Sequence, residues 1–337
     1  MLGLGTTSSD AAGPRNNQRT ALLSVSGGAG GRGSFPAQSV EPRPSEYTSP
    51  SSGRRHAMSI GWPGARAVPA GLPCWVEVAC QDEARTQDFY SRLFGWDYET
   101  RRDPASPTGR YSIASSDGVA AGGLYQAGPR SAPGWTLQLA VPHTASAAEW
   151  VEHLGGQVTL GPVAIPERGS ILHAIDACGA PVVFWEAPPD WQFASGVPNT
   201  FSGADLNTHD GVAADHFYTK LFNYSSRQVG DGESVDYAEY SIEHTAVLYR
   251  YVMGPEYRRD TPPHWLVYFE VDPARGADAA AGEALMLGGS VVIEPYDTPF
   301  GRTAILADPD GAVFAVIDHS RVLEDVGRAE VDDPYDD

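Results

Sequence analysis

The sequence predicts an α+β fold built from two copies of one domain, and the main observation is an internal repeat. The segment Asp82–Trp96 returns 128 residues later as Asp210–Tyr224, and both copies begin with Asp and carry Phe-Tyr-x-x-Leu-Phe. A Leu-Gly-Gly sequence and an Asp-x-x-Gly sequence also recur at nearly the same distance. A repeat of this length indicates duplicated domains rather than a solenoid. The length of 337 residues agrees, because it corresponds to about two domains.

Each copy of the repeat predicts an amphipathic helix that follows a strand. Asp82 and Asp210 stand where a helix N-cap is expected, and the Phe and Leu residues behind them recur at helical spacing. The run Trp75–Cys80 before the first helix has the β-rich composition of a strand, and strand-like runs follow the helix. A second unit of the same order begins at Trp135. Each domain is therefore predicted to contain two β-α-β-β-β units.

One connection rich in Pro, Gly and charged residues lies late in each domain. These connections are residues 161–170 and residues 294–302. Both are predicted to be loops, and the first is long enough to act as a lid over whatever the sheet encloses.

The predicted domain boundaries follow the composition of the chain. Gly, Ser, Pro and Arg dominate the N-terminal extension and show no period, so this part is predicted to be disordered, with Met58 as an alternative start to Met1. The C-terminal end is acidic and aperiodic and is predicted to be a solvated tail. The resulting division is a disordered extension at 1–70, a first domain at 71–187, a linker at 188–197, a second domain at 198–318 and an acidic tail at 319–337.

Charge and composition exclude several classes of function. A net charge of −20 argues against nucleic acid or an anionic membrane as a partner, and it favours neutral or cationic ligands. No apolar run reaches the roughly 18 residues of a membrane span. The three cysteines do not suggest a disulfide framework, and a cytoplasmic location is the default expectation. Phosphate-binding glycine motifs and a Gly-x-Ser-x-Gly elbow are missing from the sequence, so nucleotide binding and serine hydrolysis have no support.

The unit order and two motifs resemble a known superfamily. Phe-Tyr-x-x-Leu-Phe-Gly-Trp on the first helix and Asp-Pro-Asp-Gly-Ala-Val-Phe before the last strand are similar to the vicinal oxygen chelate superfamily of glyoxalases, bleomycin-resistance proteins and ring-cleaving dioxygenases. The resemblance covers about residues 71–187 and 198–318. It implies two glyoxalase-like domains, each a cupped mixed sheet with the helices outside and the ligand inside. These motifs indicate the fold and say little about the reaction.

The same resemblance implies where a metal would bind, and the residues at those positions are not ligands. The first-strand position falls on Trp75 and Gly203, and the last-strand position falls on Val183 and Ala315. The remaining position falls on Thr136 in the first domain and on Leu266 in the second. Such side chains do not form the nitrogen and oxygen cage that zinc, nickel or iron needs. We therefore expect no metal site and no cofactor.

Polar residues on the predicted inner faces are the candidates for chemistry. Glu77 and Asp205 occupy equivalent first-strand positions, and a carboxylate in an aromatic cup can have a raised pKa and act as an acid or base. The alternative that they bond to backbone at the sheet end or face water stays open. Further ligand-binding candidates on the fifth strand of each domain are Gln138, Tyr268 and Glu270.

Aromatic residues give the clearest positive signal for a ligand. Trp75 and Trp185 share the predicted inner face of the first domain and suit stacking on a planar ligand. Ordinary packing in the core of a small sheet is the alternative for any one of these rings. Tyr111 is a further ligand-binding candidate. The aromatic residues on strands that could line a cup are Tyr111, Tyr125, Tyr237, Tyr240, Tyr249 and Tyr268.

Three hypotheses remain open at this point. The resemblance to metal-free tandem members in antibiotic-producing bacteria implies binding of a planar aromatic polyketide such as an anthracycline, to sequester it or to assist oxidation by a cytochrome P450. The second hypothesis is cofactorless catalysis on a small metabolite, with Glu77 or Asp205 as general base. The third is a scaffold without a ligand. The expected partner is a small aromatic molecule, with neither nucleic acid nor membrane, and the chain is expected to be a monomer or a homodimer.

Overall fold

The computed structural model describes residues 68–103, 106–128, 131–230, 232, 235–255 and 257–322. Most of the predicted N-terminal extension, with Met58, and most of the acidic tail lie outside the described residues.

The first domain follows the predicted order of two β-α-β-β-β units. Its elements are β1 (Pro73–Cys80), α1 (Glu83–Phe94), β2 (Asp97–Arg102), β3 (Arg110–Ser116), β4 (Val119–Gln126), β5 (Gly134–Ala140), α2 (Thr144–His153), β6 (Gln157–Ile165), β7 (Gly169–Ile175) and β8 (Pro181–Glu186).

The second domain repeats this order. Its elements are β9 (Phe201–Thr208), α3 (Gly211–Phe222), β10 (Ser225–Gln228), β11 (Tyr237–Ile242), β12 (Thr245–Val252), β13 (His264–Glu270), α4 (Gly276–Met286), β14 (Ser290–Thr298), β15 (Gly301–Ala307) and β16 (Val313–Asp318), followed by a short 3-10 helix, His319–Arg321.

Each domain forms one mixed sheet with the same strand order. The order is β2-β3-β4-β1-β5-β8-β7-β6 in the first sheet and β10-β11-β12-β9-β13-β16-β15-β14 in the second. The two units of a domain join where the first strand of one pairs antiparallel with the first strand of the other, β1 with β5 and β9 with β13. This arrangement confirms the predicted α+β class with two glyoxalase-like domains.

The repeated helices begin and end as their sequences predict. Asp82 and Asp210 cap α1 and α3, because each carboxylate accepts the backbone N–H of the residue three positions later. Gly95 and Asn223 end the two helices in the left-handed conformation, which glycine and asparagine adopt at the lowest cost.

The tyrosine of each Phe-Tyr pair ties its helix to the other domain. Tyr90 on α1 donates a hydrogen bond to Asp308 Oδ2 at 3.1 Å, and Tyr218 on α3 donates to Asp176 Oδ2 at 2.8 Å. Asp176 and Asp308 open the two Asp-x-x-Gly turns that the sequence repeat revealed. The two motifs therefore recur because they bond to each other across the domain boundary, and all four side chains are buried.

Aromatic side chains fill the boundary between the two sheets. The Trp135 ring on β5 lies 4.9 Å from the Phe269 ring on β13, and Phe94 lies 5.0 Å from Phe269. These rings belong to one hydrophobic core that contains buried residues of both domains. The helices and the facing sides of the sheets therefore share a core, and the opposite side of each sheet is left for other roles.

Both predicted loops are wrong, because most of their residues lie in strands. Residues 161–165 belong to β6 and residues 294–298 belong to β14, and each strand turns directly into the next. Pro162 and Pro295 are tolerated because β6 and β14 are edge strands, and the pairing register shifts around both prolines. No long lid is therefore formed by residues 161–170.

Tyr240 does not line a cup. Its ring packs 6.0 Å from Tyr218 and 5.6 Å from Tyr224 on the helix side of the second sheet, and it is fully buried. Tyr237 and Tyr240 are three residues apart on β11, and residues an odd number apart on a strand face opposite sides.

Among the helices of the described residues, none combines the length and the apolar character needed to cross a membrane.

Candidate functional site

The side of each sheet that faces away from the helices carries the predicted site residues. We call this side of the β1–β8 sheet the first cup and this side of the β9–β16 sheet the second cup. The first cup contains Trp75, Glu77, Tyr111, Gln138 and Trp185 among its lining residues. The second contains Gly203, Asp205, Tyr237, Tyr249 and Tyr268.

The strand register shows which residues face each other at the centre of each cup. Trp75 pairs with Gln138, which pairs with Val183, and the equivalent row of the second cup is Gly203, Tyr268 and Ala315. Gln138 and Tyr268 thus lie two positions beyond Thr136 and Leu266. The sequence resemblance had placed the metal-ligand position of the fifth strand on Thr136 and Leu266.

These rows do not fit the metal that the fold family implies. A Trp-Gln-Val row and a Gly-Tyr-Ala row do not supply the set of nitrogen and oxygen ligands that a divalent transition metal needs. Within the part of the chain that the structure describes, no three His, Cys, Asp or Glu side chains are grouped as metal ligands.

The first cup is filled by a chain of hydrogen-bonded side chains. Trp75 Nε1 donates to the Tyr111 hydroxyl at 2.7 Å, and that hydroxyl donates to Glu77 Oε2 at 2.7 Å. Trp75 is 0% exposed, and Tyr111 and Glu77 are buried. The Tyr111 hydroxyl lies over Gly123, where an added Cβ would be only 1.9 Å from it. Tyr111 therefore occupies the space that a larger residue at position 123 would need.

Arg168 supplies a positive charge to the first cup. Its guanidinium carbon lies 4.2 Å from the centre of the Tyr111 ring, and Nη1 donates to Asp103 Oδ2 at 2.8 Å. Burial raises the pKa of Glu77, while the hydrogen bond from Tyr111 and the charge of Arg168 lower it. The first cup thus contains a cation of its own beside its buried carboxylate.

The segment between the domains closes the first cup. The Trp191 ring lies 5.0 Å from Trp75 and 4.8 Å from Trp185, and the Phe193 ring lies 5.6 Å from Trp75. Trp191 Nε1 also donates to the carbonyl of Cys74 at 3.0 Å. The predicted linker at 188–197 is therefore packed against the rings that the sequence suggested for ligand stacking.

The second cup is open at the position that Trp75 fills in the first. Gly203 occupies this position, and a Cβ built on Gly203 meets no other atom within 4 Å. Asp205, Tyr237 and Tyr268 around it are half-buried rather than fully buried. The second cup therefore offers accessible surface at its centre.

Asp205 is the polar centre of the second cup. Tyr268 donates to its Oδ2 at 2.8 Å and Tyr237 donates to its Oδ1 at 3.2 Å. Burial raises the pKa of Asp205 to about 6, although the two tyrosine hydrogen bonds lower it. The carboxylate therefore changes its charge close to physiological pH.

Aromatic rings form the wall around Asp205. Tyr237 stacks on Tyr249 with ring centres 5.5 Å apart and an interplanar angle of 16°. Phe300 lies 5.8 Å from Tyr237 and 5.5 Å from Tyr249, and Tyr251 continues the wall 6.4 Å from Tyr237. Further along, the Tyr257 hydroxyl donates to Asn207 at 3.3 Å. A flat aromatic ligand would find ring faces and edges on this surface.

The structure separates the predicted site residues into two groups. Trp75, Glu77, Tyr111, Gln138 and Trp185 meet in the closed first cup, and their roles in binding or catalysis stay predictions. Asp205, Tyr268 and Glu270 lie on the strands of the second cup, with Glu270 at the end of β13.

Sequence reasoning missed several residues of both cups. Tyr251 shares the strand parity of Tyr249, so alternation on β12 could have revealed it. Arg168, Trp191 and Phe300 lie in turns and connections, where no period applies. The missed residues are Tyr251, Tyr257, Tyr296 and Phe300 near the second cup and Asp103, Arg168, Trp191 and Phe193 near the first.

Two surface cavities lie outside both cups. One of about 460 Å³ is bordered by Gln81 and Glu83 at the start of α1 and by Arg110 at the start of β3. Another of about 210 Å³ lies beside Val68 and Pro189.

Comparisons with known proteins identify relatives by sequence and by fold. No protein-family model matches the chain. The chain is 32% identical over 264 residues to the anthracycline biosynthesis protein DauV of Streptomyces sp. (strain C5), an alignment that spans 74% of this chain and 93% of DauV. It is 30% identical over 257 residues to CFP32 of Mycobacterium bovis, a protein named as a glyoxylase, over 73% of this chain and 94% of CFP32.

A solved structure shows the same fold at low identity. The Mn(II)-bound glyoxalase of Novosphingobium aromaticivorans superposes with a TM-score of 0.54 at 15% identity, over 74% of this chain and 83% of that protein. The fold and the two cups define a tandem glyoxalase-like protein. The chain belongs to the vicinal oxygen chelate superfamily, in the family that includes DauV and CFP32.

Proposed function

We propose that the second cup binds a planar aromatic natural product and that the protein is an accessory or sequestering protein of antibiotic biosynthesis or resistance. The observation that carries this proposal is the open aromatic surface at Gly203 and Asp205, at the position where the first cup is filled by Trp75. Binding then requires no metal, because ring stacking and hydrogen bonds to the tyrosines hold the ligand.

The relatives support a particular class of ligand. DauV is named for anthracycline biosynthesis, and an anthracycline presents a flat fused-ring system to its partners. Stacking of such a ring on aromatic side chains contributes about 0.5–1.5 kcal/mol per contact beyond area burial. We therefore take an anthracycline-like polyketide as the ligand, held for storage or handed to an oxygenase such as a cytochrome P450.

A calorimetric titration with the metal-stripped protein tests the proposal. An anthracycline and a panel of planar polyketides are titrated into the full chain as purified and into the same chain after a chelator has stripped any metal. We expect micromolar binding that the chelator does not change. Binding that appears only after a divalent metal is added would contradict the proposal and would return the metal-dependent members of the fold to consideration.

A second candidate function rests on the position of Asp205, which Tyr237 and Tyr268 hold inside the aromatic cup. A carboxylate with a pKa of about 6, inside an aromatic cup, can remove a proton from a bound metabolite without a cofactor. This reading predicts product formation that continues in the presence of a chelator and stops in Asp205→Asn. Glu77→Gln tests the equivalent carboxylate of the first cup. A ligand recovered unchanged after long incubation with the wild-type protein would exclude catalysis on that ligand.

A further inference from the structure

The two cups differ in charge at one equivalent position, and this difference suggests what kind of ligand the second cup selects. Arg168 directly precedes Gly169, the first residue of β7, and Phe300 directly precedes Gly301, the first residue of β15. Both strands hold the same place in their sheets. The Arg168 guanidinium lies over Tyr111, whereas the Phe300 ring lies beside Tyr237 and Tyr249. An aromatic ring thus replaces a cation.

Within the described residues, the replacement leaves the second carboxylate without an internal cation. Burial raises the pKa of Glu77, and the charge of Arg168, which also pairs with Asp103, lowers it. For Asp205, burial raises the pKa and the hydrogen bonds from Tyr268 and Tyr237 lower it. Among the residues that the structure describes, the ion pairs formed by Lys, Arg and His do not include Asp205. A negative charge placed in an aromatic surrounding favours a positively charged partner.

The tyrosine hydroxyls beside Asp205 also favour a positively charged ligand. Each phenol has one proton, and Tyr237 and Tyr268 donate theirs to Asp205. The lone pairs of both oxygens remain available to a ligand, so the cup offers acceptors. Ring faces of Tyr237, Tyr249 and Phe300 also attract cations through their quadrupoles. Carboxylate, acceptor oxygens and ring faces all favour an ammonium group and disfavour an anion.

We propose that the second cup selects planar ligands that carry an organic ammonium group, which takes the place that Arg168 has in the first cup. This inference rests on the proposed binding function and specifies its ligand class. The flat ring stacks on the aromatic wall, and the ammonium group lies beside the Asp205, Tyr237 and Tyr268 cluster.

Three anthraquinone probes of matched shape test the ammonium preference separately from the proposed binding of planar aromatic ligands. One carries a 3-(dimethylamino)propyl side chain, the second has an isopropyl group in place of the dimethylamino group, and the third ends in a carboxylate. We expect the ammonium probe to bind at least tenfold more tightly than the neutral probe, and the carboxylate probe to bind more weakly than both. Equal binding of the ammonium and neutral probes would overturn the ammonium inference and leave the proposed function intact. No binding of any probe would overturn both.

Substitutions then locate the charge preference. In Phe300→Arg the new guanidinium provides the cation that Arg168 provides in the first cup, and in Asp205→Asn the negative charge is removed. Both should bring the ratio of ammonium to neutral affinity close to one. Val212→Arg adds the same charge to an exposed site on α3 and should keep the wild-type ratio. A ratio that stays at ten or more in both cup variants would overturn the assignment of the ammonium site to Asp205.

Discussion

The two cups share one topology, but one has become a packed core and the other has remained a surface. Trp75 and Gly203 hold the same position on the first strand of each domain, and they differ by the largest side chain and the smallest. Arg168 and Phe300 hold the same position before the seventh strand of each domain. In the first cup these residues join Tyr111, Glu77 and Trp185 in a buried network. In the second, Gly203 and Phe300 leave an accessible aromatic surface around one carboxylate.

The comparison shows that one of two repeated sheets can be filled by packed side chains without loss of the fold. The filled cup contributes stability through its buried aromatic area. Trp191 and Phe193 come from the connection between domains and complete the packing of the first cup. The second domain, which has no such segment at its C-terminal side within the described residues, retains its opening.

Removing the largest ring of the first cup should produce the largest effect on stability. Trp75→Ala leaves a cavity among Trp185, Trp191 and Phe193, and replacing a fully buried Trp by Ala costs about 3–5 kcal/mol of unfolding free energy. We expect this loss in denaturant unfolding, with probe affinity within about twofold of wild type. A tenfold loss of affinity in a folded Trp75→Ala protein would instead place the ligand in the first cup.

Filling the second cup should abolish binding while the fold stays intact. Gly203→Trp places in the second cup the side chain that closes the first, and its Cβ meets no other atom within 4 Å. We expect at least a hundredfold loss of affinity for the ammonium probe in calorimetry, equivalent to about 2.7 kcal/mol. Gly282→Trp, at an exposed site on α4, is the matched control and should bind like wild type. Undiminished binding by Gly203→Trp would remove the second cup as the site.

A single methyl group should distinguish the packing of the two cups. Gly123→Ala brings a Cβ within 1.9 Å of the Tyr111 hydroxyl, and such overpacking costs about 1–3 kcal/mol. Gly203→Ala meets nothing, so we expect it to change the unfolding free energy by less than about 0.5 kcal/mol. Thermal unfolding of both variants measures the difference. Equal destabilisation by the two would show that the cups are packed alike.

The charge of Asp205 should make cation binding depend on pH. Its pKa of about 6 lies above its ordinary value, so the carboxylate is protonated below pH 6 and ionised above it. Because an ammonium ligand binds the ionised form, the affinity should rise about tenfold, roughly 1.4 kcal/mol, between pH 5 and pH 7 and then level off. The neutral probe, and Asp205→Asn with either probe, should show a flat profile. A profile that rises equally in Asp205→Asn would assign the titration to another group.

Much of the fold was predictable because its signals are local and occur twice. The Phe-Tyr helices, their Asp caps and the Asp-x-x-Gly turns could be read from spacing, and the structure explains why they recur, since Tyr90 and Tyr218 bond to Asp308 and Asp176. The edge strands β6 and β14 could not be read, because Pro162 and Pro295 are signals for loops and only the position at the sheet edge makes them acceptable.

The candidate site was predictable only in part. Strand parity placed Glu77 and Asp205 at equivalent inner positions, but it could not show that Arg168 lies over Tyr111 in one cup or that Trp191 closes that cup. Those side chains come from a turn and from the interdomain connection, where periodicity gives no direction. The contrast of Trp75 with Gly203 is visible in the sequence, yet its meaning depends on the surrounding packing.

The stoichiometry of ligand binding tests the central claim most directly. Calorimetric titration of the ammonium probe into the full wild-type chain should give one site per chain, because the first cup is packed and the second is open at Gly203. Two equivalent sites per chain would contradict the account, because the packed first cup would then have to bind the same ligand.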